Sequence, residues 1–141
     1  MEVGRQVRGG VGLLLALSSA RTFRAASEAL RPLGMTPRSY TVLEHLLDSP
    51  RSQRELAEML DLDPSRIVAL VDTLVAAGMV ERLPDPADRR VRLITPTDHG
   101  RASAVVAREA SERAVDGALA PLTSTERDTL VDLLARLTDR G

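Results

Sequence analysis

The stretch LDPSRIVALVDTLVAAGMVERLPDPADRRVR, residues 62–92, decides the fold of this chain. Its first half predicts an amphipathic helix, because apolar side chains recur at the i, i+3, i+4, i+7 and i+8 spacing of one helix face, at Ile67, Leu70, Val71, Leu74 and Val75. Asp63 is suited to cap the N-terminus of this helix, and Pro64 suits its first position. Gly78 lies where a left-handed residue commonly ends a helix.

The second half of the stretch predicts a β-hairpin. Two short apolar-rich runs, 79–82 and 91–94, flank the segment Pro-Asp-Pro-Ala-Asp-Arg-Arg, which would form a polar, rigid tip carrying two arginines. A helix followed by a basic-tipped hairpin is the layout of a winged helix-turn-helix. Nucleic acid is therefore the first partner to consider.

Two helices are predicted before this stretch. Thr36 and Pro37 begin the first of them, which ends at Asp48-Ser49-Pro50. Ser52-Gln53-Arg54-Glu55 has the form of a capping box and begins a short second helix, in which Leu56, Met59 and Leu60 are predicted to face inward. Only residues 61–63 separate this helix from the next, which is the spacing of a helix-turn-helix.

Long helices are predicted at both ends of the chain. The first covers about 11–31 and closes around Gly34. The second is capped by Thr97 and covers about 98–119, and a last helix follows a capping box that begins at Thr123. The fold class predicted from these elements is mainly α with a small β-hairpin wing.

The same elements predict the domain organisation. We expect one domain over 1–141, with a winged helix-turn-helix lobe over 36–96. Helices over 11–34 and 98–139 are left outside that lobe, and their apolar faces need a partner. A second copy of the same chain is the simplest partner, so these are predicted to be dimerisation helices.

The N-terminal segment also has the pattern of a secretory signal peptide, which is the alternative to a helix there. Arg5 and Arg8 precede an apolar run over 11–17, and Ser18-Ser19-Ala20 resembles a cleavage site. However, apolar residues continue on the same helix face past this site as far as Leu30. We therefore expect a helix and a cytoplasmic protein, since no run reaches the ~20 apolar residues of a membrane helix.

The composition excludes several function classes. The net charge of −1 argues against a polycationic binder, although a local basic patch can still bind DNA. There is no cysteine, which excludes disulfides, cysteine-ligated zinc and thiol redox sensing. His45 and His99 lie far apart in sequence, so no metal site is assigned and no cofactor is expected. We find no convincing nucleophile–base pair, and an enzyme is not expected.

Several motifs together resemble the MarR family of bacterial winged-helix regulators. They are Arg54-Glu55-Leu56-Ala57, the 62–80 segment, Glu81-Arg82, Asp85-Pro86-Ala87-Asp88-Arg89-Arg90 and Thr97-Asp98-His99-Gly100. The resemblance implies a homodimer that binds a roughly palindromic DNA site, with recognition helices in major grooves and wings at the flanking minor grooves. It further implies a repressor that releases DNA when a small phenolic or antibiotic-like molecule binds.

The chain departs from the family pattern at a few positions. Many members carry arginine or another polar residue where this chain has Val68, Ala69 and Thr73. Pro96 stands where leucine is common. The branch of the family that senses oxidants needs a cysteine, and the zinc-sensing branch needs a cluster of histidine and carboxylate ligands. This chain has neither.

The recognition helix supplies the candidate base-reading residues. Ser65 and Arg66 lie in its first turn, where side chains can reach base edges, and Arg66 is the candidate for a bidentate guanine contact. Val68 and Ala69 are expected to be exposed and to touch thymine methyls, and the resemblance implies that Thr73 also faces DNA. The alternatives are an Arg66 paired with a carboxylate such as Asp63, and partial burial of Val68 and Ala69 against the preceding helix.

The wing supplies the second set of candidates. One of Arg89 and Arg90 is expected to enter a minor groove, and the other to pair with Asp85 or Asp88 and stiffen the hairpin. Arg92 is expected to follow the DNA backbone. The alternative is a solvated charged turn without a binding role. Because the recognition helix is poor in polar groups, we hypothesise that the wing carries the larger share of the affinity.

The short helix before the recognition helix supplies the third set. Ser52, Gln53 and Arg54 lie at its N-terminus, where short polar side chains and amides suit phosphate binding. A capping role alone would also explain Ser52. As a whole, the sequence leaves two further function classes open, a winged-helix module that binds a protein instead of DNA, and a helical hydrolase with carboxylate acid–base groups.

Overall fold

Residues 9–139 are described by a computed structural model, in which they form six α-helices and three short β-strands. Arg5 and Arg8 lie outside the described residues. The fold is the predicted one, mainly α with a small β-hairpin wing. In chain order the elements are α1 Gly10–Leu30, α2 Pro37–Asp48, β1 Arg51–Ser52, α3 Gln53–Leu60, α4 Pro64–Ala76, β2 Val80–Pro84, β3 Arg92–Pro96, α5 Asp98–Ala118 and α6 Ser124–Thr138.

Local capping rules account for the helix ends. A carboxylate oxygen of Asp63 accepts from the Ser65 amide at 2.9 Å, and Pro64 is the first residue of α4. Gly78, with φ of +71°, turns the chain out of α4. The box at Thr123 is complete. The box predicted at the start of α3 is only half formed, because Ser52 accepts from the Glu55 amide but the described structure shows no return bond.

The core lies between α2, α3, α4 and the sheet. The predicted apolar face of α4 is correct at Ile67, Val71 and Leu74, but Val75 lies at its edge and is 36% exposed. In α3 the prediction for Met59 is wrong. The buried face is centred between Leu56 and Ala57, which places Met59 about 100° away, where it is 46% exposed. The largest fully buried side chains of these elements are Leu43, Leu46, Leu56, Ile67, Leu74 and Ile94.

The sheet has the order β1-β3-β2 and is antiparallel throughout. The hairpin strands are displaced towards the C-terminus from the predicted runs, because Met79 belongs to the turn after α4, where its amide donates to the Leu74 carbonyl at 2.9 Å. Strand β1 was not predicted. Two residues carry no readable alternation, and they become a strand only because Arg51 pairs with Ile94 of β3.

The start of α5 is fixed to the end of the recognition helix. Thr97 caps α5 as predicted, accepting from the Gly100 amide at 3.0 Å, while its own hydroxyl donates to the Gly78 carbonyl at 2.6 Å. Its amide donates to the Met79 carbonyl at 3.0 Å. Gly100 is buried against this turn, and the winged lobe is therefore joined rigidly to the long helix α5.

The two terminal regions leave apolar surface exposed. Helix α1 packs mainly along α5. Within 9–139, no helix has the length and hydropathy needed to cross a membrane. The exposed apolar side chains lie chiefly on α1 and α6, at Val11, Leu14, Leu17, Val131, Leu133 and Leu137.

Candidate nucleic-acid interface

The first turns of α4 present an exposed surface. Ile67, Val71 and Leu74 face the core, so the intervening side chains point to solvent. Val68 is 39% exposed, and Ala69 is exposed as well. Val68 also lines the groove between α3 and α4, so its partial burial against α3, the alternative to a DNA-facing position, stays open. The remaining candidates on this helix, Ser65, Arg66 and Thr73, are also exposed.

Arg66 is not held by a protein partner among the described residues. The neighbouring Asp63 carboxylate binds Ser65, whose hydroxyl donates at 2.5 Å and whose amide donates at 2.9 Å. The hydrogen bond from this hydroxyl is the main reason that the pKa of Asp63 is lowered. The alternative, in which Arg66 pairs with Asp63 or another carboxylate, is seen within 9–139 only as an electrostatic attraction, since the charge of Arg66 also lowers the pKa of Asp63 without a hydrogen bond or ion pair between them. The Arg66 guanidinium is left with its donors available.

The two arginines at the wing tip differ in their contacts. The Arg90 guanidinium donates to the Asp88 carboxylate at 3.2 Å, and this contact lowers the pKa of Asp88. An Asp85 carboxylate oxygen accepts from the Ala87 amide at 2.8 Å and thereby shapes the turn. Arg89 is exposed and has no ion pair in the described part of the chain. Arg90 is thus paired with a carboxylate of the turn, while the Arg89 guanidinium has no ion pair within 9–139.

The predicted phosphate-binding residues at the start of α3 are in part engaged with the protein. Ser52 is the helix cap, and Arg54 pairs with Glu58 at 3.4 Å on the surface. The Gln53 side-chain oxygen accepts two hydrogen bonds from Arg82 of β2, at 3.2 and 3.1 Å. Gln53, Arg54 and Val68 line one open groove between α3 and α4, so the fold brings these three candidates together.

Arg82 is the interface residue whose structural role the sequence analysis missed. Besides Gln53, it contacts Asp72 of α4 at 2.5 Å, and its side chain is 31% exposed. The sequence did contain one signal of this contact, because Asp72 is a charged residue among the apolar residues of α4. Its partner could not be identified, because Arg82 is close only after the chain has turned back through β2.

A second cluster missed by the sequence analysis joins α2 to α5. Arg108 of α5 donates to both carboxylate oxygens of Glu44, at 3.0 and 2.8 Å, and the Tyr40 hydroxyl donates to the same carboxylate at 2.6 Å. Burial and this hydrogen bond raise the pKa of Tyr40 to about 12. Burial alone would raise the pKa of Glu44, but the hydrogen bonds from Arg108 and Tyr40 outweigh it and lower that pKa.

The arrangement defines a winged helix-turn-helix protein of the DNA-binding class, with α4 in the position of the recognition helix, a supporting helix α3 and an arginine-tipped hairpin. Among the described residues there is no group of three or more His, Asp or Glu side chains placed to hold a metal ion.

Comparison with known proteins gives the family. A model of the MarR family matches residues 33–91. A putative transcriptional regulatory protein for the hcr operon of Thauera aromatica is 32% identical over 131 residues, which cover 92% of this chain and 79% of that protein. The chain belongs to the MarR family of transcriptional regulators, so it is a DNA-binding regulator and not an enzyme.

Two solved structures are similar over almost the whole chain. CouR from Rhodococcus jostii RHA1 bound to p-coumaroyl-CoA is 31% identical, with a TM-score of 0.83 over 98% of both chains. A mutant MarR from Escherichia coli complexed with operator DNA is 28% identical, with a TM-score of 0.80 over 91% of this chain and 93% of that chain. The first of these relatives is thus seen with a small molecule, and the second with operator DNA.

Proposed function

We propose that this protein is a homodimeric repressor that binds a palindromic operator and releases it when a small-molecule effector binds. The observation that carries the DNA-binding part is the position of two exposed arginines, one on the recognition helix and one at the wing tip. Arg66 at the recognition helix and Arg89 at the wing tip are exposed and have no ion pair within 9–139.

The roles of individual residues follow from their positions. Arg66 reads a guanine, while Val68 and Ala69 lie against thymine methyls in the major groove. The Thr73 hydroxyl donates to the Ala69 carbonyl at 3.0 Å, so it meets DNA as an acceptor. Other exposed or half-exposed residues flank this region and position the protein on phosphates or in the minor groove: Ser52, Gln53, Arg54, Ser65, Arg89 and Arg92.

We propose a dimer because many apolar side chains of the terminal helices are exposed to solvent in a single chain. Val11 is 74% exposed, and Leu137 is 71% exposed. Burial of such side chains stabilises association by about 25 cal/mol for each Å² removed from water. Two copies related by a twofold axis would also match a palindromic site. Sedimentation equilibrium should give twice the monomer mass of 15.2 kDa, and a purely monomeric protein would contradict the proposal.

The operator-binding experiment is a gel shift with DNA from the promoter of the protein's own gene. We expect a shifted band that specific DNA competes away more effectively than scrambled DNA. The logarithm of the binding constant should fall steeply with the logarithm of salt concentration, by about 0.9 for each phosphate neutralised. A flat salt response, or no shift, would instead favour the alternative of a winged-helix module that binds a protein.

Operator binding would also place the protein with the chromosome, in the cytoplasm.

The effector part of the proposal rests on the Tyr40–Glu44–Arg108 cluster and on the p-coumaroyl-CoA bound by CouR. The cluster joins α2 of the winged lobe to α5, which is one of the proposed dimerisation helices. An anionic aromatic effector that competes with Glu44 for Arg108 would loosen this connection. The spacing of the two recognition helices in the dimer would then change, and the operator would be released.

The effector prediction can be tested by adding p-coumaroyl-CoA, or p-coumarate, to the gel shift. We expect release of the operator, and Glu44→Gln should lower the concentration needed, because a neutral amide holds Arg108 less strongly. Glu109→Gln, an exposed carboxylate on α5, is the matched control and should behave as the wild type. Release by neither compound would contradict this effector class. Equal concentrations for Glu44→Gln and the wild type would contradict the role of the cluster.

A further inference from the structure

The Gln53 side-chain amide has its two ends in different environments. Its oxygen accepts from both Nε and Nη2 of Arg82, at 3.2 and 3.1 Å. Its nitrogen has no hydrogen-bond partner in the part of the chain that the structure describes, where no polar side-chain atom is both buried and unpartnered. The nitrogen is therefore open to solvent, at the groove that Gln53 and Arg54 line between α3 and α4.

Arg82 connects three elements through these contacts. Its Nη2 donates both to Gln53 at the start of α3 and to Asp72 of α4, while its backbone belongs to β2, the strand that leads into the wing. The guanidinium is planar and presents its donors in a fixed fork. With the fork engaged on both partners, the Gln53 oxygen is held towards the protein and the nitrogen is held outward.

We propose that Arg82 is a positioning residue for operator binding, which orients the Gln53 amide so that its nitrogen donates to a DNA phosphate. The proposal rests on the proposed function, since it needs DNA at this face. Gln53 is the first residue of α3, and the first helix of a helix-turn-helix crosses the DNA backbone. Backbone amides at a helix N-terminus favour a phosphate at the same place. A flipped amide would present its oxygen to that phosphate, and two acceptors would repel each other.

The test is a double-mutant cycle on operator binding with Arg82→Lys and Gln53→Leu. Lysine can retain the ion pair with Asp72, but it lacks the fork that holds the Gln53 oxygen. We expect each single variant to weaken binding by about five- to tenfold for each half-site, the effect of one hydrogen bond, and by the square of that factor for the dimer. The double variant should bind no more weakly than Gln53→Leu alone, because Arg82 acts through Gln53.

The salt dependence gives an independent readout. Gln53 is neutral, so removing its hydrogen bond to the phosphate should leave the slope of the salt plot unchanged. Arg127→Lys is the matched control, because Arg127 is also 31% exposed and paired with an exposed carboxylate, Asp116. It should leave operator affinity unchanged. Thermal unfolding of each variant fixes a temperature at which all of them are folded.

Two outcomes would overturn the proposal while leaving the proposed function intact. Additive effects in the double variant would show that Arg82 acts independently of Gln53. A slope reduced by about 0.9 for each half-site, or about 1.8 for the dimer, in an Arg82→Gln variant would show that Arg82 itself neutralises a phosphate. Failure of the wild-type protein to bind its operator would overturn both the proposed function and the role assigned to Arg82.

Discussion

Gly100→Ala is expected to remove much of the folding stability of this protein. A Cβ atom at residue 100 would lie 1.9 Å from the Met79 carbonyl oxygen and 2.8 Å from the carbonyl carbon. These are backbone atoms and cannot move away by a side-chain rotation. The Met79 carbonyl also accepts from the Thr97 amide at 3.0 Å, so a shift of either segment would break the junction between α5 and the recognition helix.

The expected loss in the free energy of unfolding can be compared with the usual cost of overpacking a core. Overpacking in a well-ordered core costs about 1–3 kcal/mol and occasionally more. Because a backbone atom is displaced here, we expect a loss of about 3 kcal/mol or more, compared with about 5–15 kcal/mol for the whole stability of a typical domain. Urea unfolding followed by circular dichroism would measure the free energy of unfolding.

Gly117→Ala is the matched control, since it makes the same change in the same helix. Apart from its chain neighbours and the nearby backbone of its own helix, no atom of the described structure lies within 4 Å of the added Cβ at residue 117. Alanine is favoured over glycine within a helix by about 0.5–1 kcal/mol, so this variant should be as stable as the wild type or slightly more stable. If Gly100→Ala were as stable as Gly117→Ala, the close approach of α5 to the turn after α4 would be wrong.

Arg66→Ala is expected to change which DNA the protein prefers. The Arg66 guanidinium has no protein partner in the described structure, and a bidentate guanine contact is worth about 1–3 kcal/mol of discrimination. Binding to the operator should weaken by that amount for each half-site, while binding to unrelated DNA should change little. A set of operators with each base pair substituted would locate the guanine, because the variant should no longer discriminate at one position in each half-site.

The double variant Arg89→Ala/Arg90→Ala is expected to weaken binding on every sequence. Arg89 is free to enter the DNA, whereas Arg90 is paired with Asp88 and supports the turn. We expect the slope of the salt plot to decrease by about 0.9 for each phosphate that the variant no longer neutralises. Arg89→Ala alone should cause most of this change, because it removes the available arginine and leaves the Arg90–Asp88 pair in place.

The comparison of these variants tests whether the wing carries the larger share of the affinity. This hypothesis fails if the double wing variant loses less operator affinity than Arg66→Ala. Equal weakening of all DNA sequences by Arg66→Ala would assign Arg66 to a phosphate instead of a base. Arg113→Ala, an exposed arginine on α5, should leave both measurements unchanged.

The sequence by itself determined the parts of this protein that depend on neighbours along the chain. Helix ends were predicted from caps such as Asp63, Thr97 and Thr123, because a capping side chain bonds an amide two or three residues away. Helical periodicity indicated that Val68 and Ala69 lie off the buried face of their helix, although it left their partial burial against the preceding helix open. The placement of the recognition helix before a basic hairpin also followed from order alone, so the fold class and the candidate DNA-contacting residues could be predicted.

The tertiary structure alone decided which side chains remain available. Arg82 and Gln53 are 29 residues apart, and Arg108 and Glu44 are 64 apart, so no local pattern pairs them. Strand β1 exists only because β3 lies beside it. For the same reason the sequence assigned Gln53 to DNA without its partner Arg82, and it could not separate the roles of Arg89 and Arg90. Hydrogen bonds between distant segments depend on how the elements pack, which neither periodicity nor capping specifies.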